Sequence, residues 1–178
     1  MTDWHPGSRR PDRASMLRVD QAGEYGATRI YAGQLAVLRR NSSAAKLVAR
    51  MDGQEQRHLA RFNALMAARR VRPTALQPLW NVAGFALGAA TALMSERAAM
   101  ACTDAIETEI DRHYRQQLEE LGDDDPEFAA DIKEFRAEEL EHRDAARSAG
   151  AAQAFGYPAL TAAVRAACRV AIGLSKRI

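Results

Sequence analysis

Apolar residues recur along this chain every three to four positions, and no stretch alternates in the manner of a strand. The pattern predicts six helices, at residues 14–40, 43–70, 79–94, 96–121, 126–148 and 158–175. The breaks between them carry the expected punctuation. "NSS" supplies a turn and an N-cap before the second helix, and "VRPTALQP" interrupts the chain before the third. Gly122 ends the fourth, Asp125 is placed to cap the fifth, and Pro126 suits its first turn. "GAAQAFGYP" is a loop before the sixth. Helices joined by short connectors predict an all-α bundle, and 178 residues suffice for one domain. We expect residues 1–13 to be a flexible tail and 14–178 to be that single domain.

The apolar stripes contain residues that do not belong on them. Leu17, Glu24, Tyr31 and Leu38 share one face of the first helix, and Met100, Glu107, Tyr114 and Leu121 share one face of the fourth. In the second helix Val48, Glu55 and Phe62 align, with His58 and Leu65 beside them. In the fifth the inward set is Ile132, Phe135, Glu139, His142 and Ala146. Four carboxylates and two imidazoles therefore point at the core.

An internal repeat explains the arrangement. Aligning Glu24 with Glu107 also aligns Tyr31 with Tyr114, Gln34 with Gln117 and Leu38 with Leu121. Glu55-x-x-His58 then matches Glu139-x-x-His142. The lone Glu precedes the ExxH Glu by 31 residues in the first half (24 to 55) and by 32 in the second (107 to 139). The chain is thus two copies of one helical hairpin, with the third helix as crossover. Residues at i and i+3 lie on one face of a helix, so each ExxH can grip one ion.

Burying four carboxylates without counter-charge costs several kcal/mol per ion, and their mutual repulsion adds to it. Two divalent cations would cancel the four charges. A set of four carboxylates and two imidazoles suits iron or manganese better than zinc. One Glu from each of two helices plus ExxH from each of the other two is the di-iron carboxylate pattern of ferritin-like four-helix bundles.

Longer stretches narrow this further. "DQAGEYGATRIYAGQ", "RPTALQPLWNVAGFALGAATALM", "EELEHRD" and "CRVAIGLSKRI" resemble the demethoxyubiquinol hydroxylases of ubiquinone biosynthesis, from about Met16 to the C-terminus. The resemblance implies an O2-dependent monooxygenase acting on the ring of a polyprenylated methoxy-methyl-benzoquinol. It implies two iron ions held by Glu24, Glu55, His58, Glu107, Glu139 and His142, with Glu55 and Glu139 bridging. It implies no further catalytic side chain beyond these ligands. The alternative is a ferroxidase or other iron-handling protein on the same bundle. A bundle that merely binds partners would leave the six inward polar residues unexplained.

A polyprenyl substrate lives in a bilayer, and two segments fit that setting. Residues 73–95 carry no charge, and their apolar heart, about 79–94, is short for a membrane span. The last helix, about 159–178, is apolar with Arg165, Arg169, Lys176 and Arg177 attached, like an interfacial helix with basic residues at head-group level. We expect peripheral contact on the cytoplasmic face of the cell membrane. The same two faces would also suit a second subunit or a lipid-presenting protein partner.

Composition adds exclusions. A net charge of +2 and no basic-aromatic module argue against nucleic acid. Cys102 and Cys168 form no CxxC pair and read as reduced, buried thiols. The opening "MTDWHPGSRRPDR" lacks the apolar run of a secretory leader, so none is expected. Four more residues are candidates around the site. Tyr31 and Tyr114 would line a substrate or electron route or pack with a tethered hydroxyl. His113 would back the site or lie at the surface. Asp20, one turn before Glu24, would orient a ligand imidazole. Gly23, Gly26 and Gly33 are costly inside a helix, which points to close helix approach or substrate access. Arg69, Arg70 and Arg72 read as a solvated helix end.

Overall fold

The computed structural model describes residues 12–177. Most of the expected tail, and His5 within it, lies outside the described residues, whereas Arg13 already opens the first helix. Among the described residues the chain is helical without strands: α1 Arg13–Val37, α2 Ser43–Arg69, α3 Gln77–Met94, α4 Glu96–Leu121, α5 Pro126–Ser148 and α6 Tyr157–Ser175, with a 3-10 turn at Ala151–Gln153.

Capping sets these limits. Ser42 accepts from Ala45 N, Ser95 from Ala98 N, Asp125 from Phe128 N, and Asp12 from Ser15 N. α1 stops three residues before its expected end because Leu38 turns extended and drops into the core. α3 starts two residues early, since Pro78 sits comfortably in a first turn. Arg70 takes a left-handed conformation (φ 56°) to end α2. Arg69 is not merely solvated: it pairs with Asp125 and lies over the Phe128 ring.

α1 packs on α2 and α4 on α5, and the two hairpins close into a four-helix bundle. α3 leans on α1 and α6 on α4, so both added helices cover the same side. Every residue of the four inward stripes is buried. One apolar layer holds Tyr31, Leu38, Val48, Met51 and Met100, and the other holds Leu17, Phe62, Tyr114, Phe128 and Ile132. The polar residues lie between them. Each fully buried large apolar side chain contributes about 1.5–3 kcal/mol, and these layers offset the cost of the polar one.

The glycines divide into two uses. A Cβ on Gly33 would sit 2.1 Å from the Phe85 carbonyl oxygen, and one on Gly88 would sit 1.9 Å from that of Ile30. α1 and α3 thus touch backbone to backbone. A Cβ on Gly23 or Gly26 would meet nothing within 4 Å, and both residues line a cavity.

Candidate metal centre

Glu24 on α1, Glu55 and His58 on α2, Glu107 on α4, and Glu139 and His142 on α5 meet at the middle of the bundle, each no more than 1% exposed. They form two groups of donor atoms, each within 4.8 Å of one another. One is Glu24, Glu55, His58 and Glu139, and the other is Glu55, Glu107, Glu139 and His142. Glu55 and Glu139 belong to both, so the two groups share a pair of carboxylates.

His58 Nδ1 lies 3.2 Å from Glu139, 3.4 Å from Glu24 and 3.8 Å from Glu55. His142 Nδ1 lies 3.1 Å from both Glu55 and Glu139. Phe135 stacks on the His58 ring at 4.1 Å and fixes its plane. Both imidazoles turn Nδ1 inward, and their outer nitrogens have separate partners. His58 Nε2 donates to Glu138 at 3.2 Å. His142 Nε2 donates to the Gln54 carbonyl oxygen at 3.1 Å, and the Gln54 amide nitrogen donates to Glu138 at 2.7 Å. The amide orientation follows from the carboxylate, which can only accept.

The tyrosines complete a cross-wired frame. Tyr31 on α1 donates to Glu107 on α4 at 2.6 Å, and Tyr114 on α4 donates to Glu24 on α1. Each terminal Glu and each His is thus held by a residue from the opposite half of the repeat. Asp20 reaches neither ligand imidazole. It pairs with His113 at 2.9 Å and accepts from Gln117 at 2.8 Å, so both Asp20 and His113 are buried beside Tyr114. Gln54 and Glu138 escaped the reading of the sequence. The signal was present, because each immediately precedes an ExxH Glu.

Burial and the neighbouring charge of Glu55 push Glu24 up to about 8. Burial, with Glu139 and Glu55 close by, holds Glu107 well above the usual carboxylate range. Burial alone would lower both imidazoles, but the carboxylates around them outweigh it, taking His142 to about 9 and His58 higher still. Tyr31 and Tyr114 stay phenols, raised first by burial and then by Glu107 and Glu24 respectively. Buried oxygens on Glu24, Glu55, Glu107 and Glu139, together with His58 Nδ1, have no hydrogen-bond partner. Such atoms are expensive to bury unpaired, and their hard oxygen and nitrogen donors suit a divalent cation. The cluster can hold metal ions.

Beside it lies an apolar cavity of about 170 Å³ between α1, α3, α4 and α6. Gly23 and Ile106, the sequence neighbours of Glu24 and Glu107, form part of its wall, with Gly26, Trp80, Ile110, Cys168 and Ile172. Trp80 Nε1 donates to Ser175 Oγ at 3.1 Å and ties α3 to α6 there. Cys102 and Cys168 are free thiols; Cys102 is buried as expected, Cys168 is only partly so, and burial raises both.

Known proteins bear on this geometry. A family model described as ubiquinone biosynthesis protein COQ7 matches residues 12–175. The 3-demethoxyubiquinol 3-hydroxylase of Rhodospirillum rubrum is 57% identical over 91% of this chain and 76% of that protein. The human NADPH-dependent 3-demethoxyubiquinone 3-hydroxylase, mitochondrial, is 52% identical over 92% of this chain and 76% of its own. The 5-demethoxyubiquinone hydroxylase, mitochondrial, of Saccharomyces cerevisiae is 42% identical over 92% and 77%. With a match along nearly its whole described length and hydroxylases of this pathway among its relatives, the chain belongs to the demethoxyubiquinol hydroxylase family of ubiquinone biosynthesis.

Proposed function

We propose that this chain hydroxylates the ring of a polyprenylated demethoxyubiquinol with O2, using two iron ions held by Glu24, Glu55, His58, Glu107, Glu139 and His142. The observation that carries the reading is the apolar cavity laid along the α1 and α4 segments that bear Glu24 and Glu107. A quinol ring fits such a space, and an iron-storage site has no use for it. The sharing of Glu55 and Glu139 by both donor groups supports a bridging role for these two. Bound iron supplies the reducing electrons and open coordination positions through which O2 becomes reactive. In the net reaction a ring C–H would become C–OH and the second oxygen would leave as water, taking up two protons and the two electrons of the reduced iron pair, which an external reductant must restore before the next turnover.

The chain does the rest. Tyr31 and Tyr114 fix the terminal carboxylates by donating to them. Glu138 and Gln54 hold the outer imidazole protons, leaving Nδ1 free to bind an ion. The cavity wall is apolar and would receive the ring by burying it against Ile106, Ile110 and Trp80.

Among the described residues no helix is long and apolar enough to cross a membrane. The large exposed apolar side chains gather on the outer side of the bundle: Leu79, Val82, Phe85, Leu93 and Met94 on α3, Val170 and Leu174 on α6, and Phe155 between α5 and α6. This supports peripheral attachment to a membrane, which we take to be the cytoplasmic face of the cell membrane, and from there a prenylated ring could enter between α3 and α6. Arg165 and Arg169 are less available for head groups than expected, because both pair with buried Glu109 at 2.7 and 2.9 Å.

The test is a single turnover. Iron-loaded protein reduced without air, given demethoxyubiquinol and then O2, should yield a quinone heavier by one oxygen atom. Iron oxidation with no new quinone would move the chain to the iron-handling class.

A further inference from the structure

The two ion positions have the same inner ligands: one terminal Glu, one His and the shared pair Glu55 and Glu139. Any inequality between them must arise outside that set, where Phe135 stacks on His58 and where the outer partners of the two imidazoles differ. The outer nitrogen of His58 faces a carboxylate, Glu138, whereas that of His142 faces an amide, Gln54. An imidazole whose distal N–H is held by a carboxylate is the more basic ligand, and an added negative charge nearby favours a cation. Arg57 lies 2.9 Å from Glu138, but its side chain is 58% exposed, so solvent screens it and it trims the effect without cancelling it.

We infer that the position built on Glu24 and His58 is the tight one and fills first, and that Glu138 is the positioning residue that makes it so. The inference rests on reading the cluster as a two-ion site. The Gln54–Glu138 hydrogen bond couples the two positions, since it fixes which side receives the carboxylate and which the amide.

The test is a titration of the metal-free full chain with cobalt(II), followed by calorimetry and by the visible absorption of the bound ion. Wild type should bind two ions in two resolved steps. His58→Ala should remove the tight step and His142→Ala the weak one. Glu138→Gln should weaken the tight step by about 10–100-fold and leave the weak step in place. The exchange of Gln54→Glu with Glu138→Gln keeps the carboxylate–amide hydrogen bond and guards against a folding defect in the single variant. In the exchanged chain the tight step should depend on His142 instead of His58. Two ions of equal affinity in wild type, or a tight step that survives Glu138→Gln or stays with His58 after the exchange, would overturn the inference while leaving the two-ion reading intact. No bound cobalt would overturn both.

Discussion

Substituting alanine for glycine should have opposite effects at two pairs of positions, Gly33 and Gly88 where α1 meets α3, and Gly23 and Gly26 on α1. In each case the methyl improves helix propensity by about 0.5–1 kcal/mol. At Gly33 and Gly88 that gain meets a wall. The new Cβ would lie 2.1 Å from the Phe85 oxygen or 1.9 Å from the Ile30 oxygen, and both obstacles are backbone. No rotamer relieves such a contact, so α3 must move away from α1 by about 1 Å and lose packing along its length. Overpacking of this kind costs about 1–3 kcal/mol or more, which exceeds the propensity gain. At Gly23 and Gly26 nothing lies within 4 Å, so the gain stands alone. In a domain of this size 1 kcal/mol corresponds to roughly 2–4 °C in Tm. Thermal unfolding followed by circular dichroism should show Gly33→Ala and Gly88→Ala melting several degrees below wild type. Gly23→Ala should melt slightly above it. The same Gly23→Ala puts a methyl on the cavity wall and should raise KM for the quinol. A Gly33→Ala protein as stable as wild type would refute the backbone contact between α1 and α3.

Further outcomes follow from the site. Glu24 and His142 both have folded values, about 8 and about 9, above their ordinary 4.5 and 6.5, so both stabilise the metal-free fold at low pH; the contribution is lost between the ordinary and the folded values, a window from about pH 4.5 that closes by about 9. The Tm of metal-free protein should fall across that window, whereas metal-loaded protein should not follow it; parallel falls would contradict the assignment. Removing the hydroxyl that holds Glu24, by Tyr114→Phe, should cost about 1–3 kcal/mol in ion affinity, read by competition with a chelator; unchanged affinity would show that the hydroxyl does not support the site. Val82→Asp with Leu93→Asp, at positions 68% and 73% exposed, should leave Tm nearly unchanged and abolish co-sedimentation with anionic vesicles. Retained binding would show that α3 is not the docking face.

The six inward polar residues were legible in the sequence because the repeat places them on periodic apolar stripes, where polar residues stand out. The helices were legible for the same reason, and the ends that shifted moved by one to three residues, most where Pro78 opened α3 early and where Leu38 left α1 for the core. What surrounds those six residues was not legible. Gln54 and Glu138 lie on the margin of their stripes, and only the distance across the bundle shows that each serves a histidine of the other half. Asp20 lay one turn from Glu24 and suggested a ligand partner, but α4 brings His113 to it first. Arg165 and Arg169 read as head-group residues because Glu109, itself buried, belongs to another helix 56 and 60 residues away. Local spacing reports the face of a residue, while pairing between helices depends on how the bundle closes.

The central claim is that four buried carboxylates and two imidazoles lie together because they hold two cations. Mössbauer spectroscopy on protein loaded with iron-57 and oxidised tests it most directly. The expected result is two irons per chain with the spectrum of a spin-coupled diferric pair, as shared Glu55 and Glu139 require. One iron per chain, or two magnetically isolated ones, would contradict it.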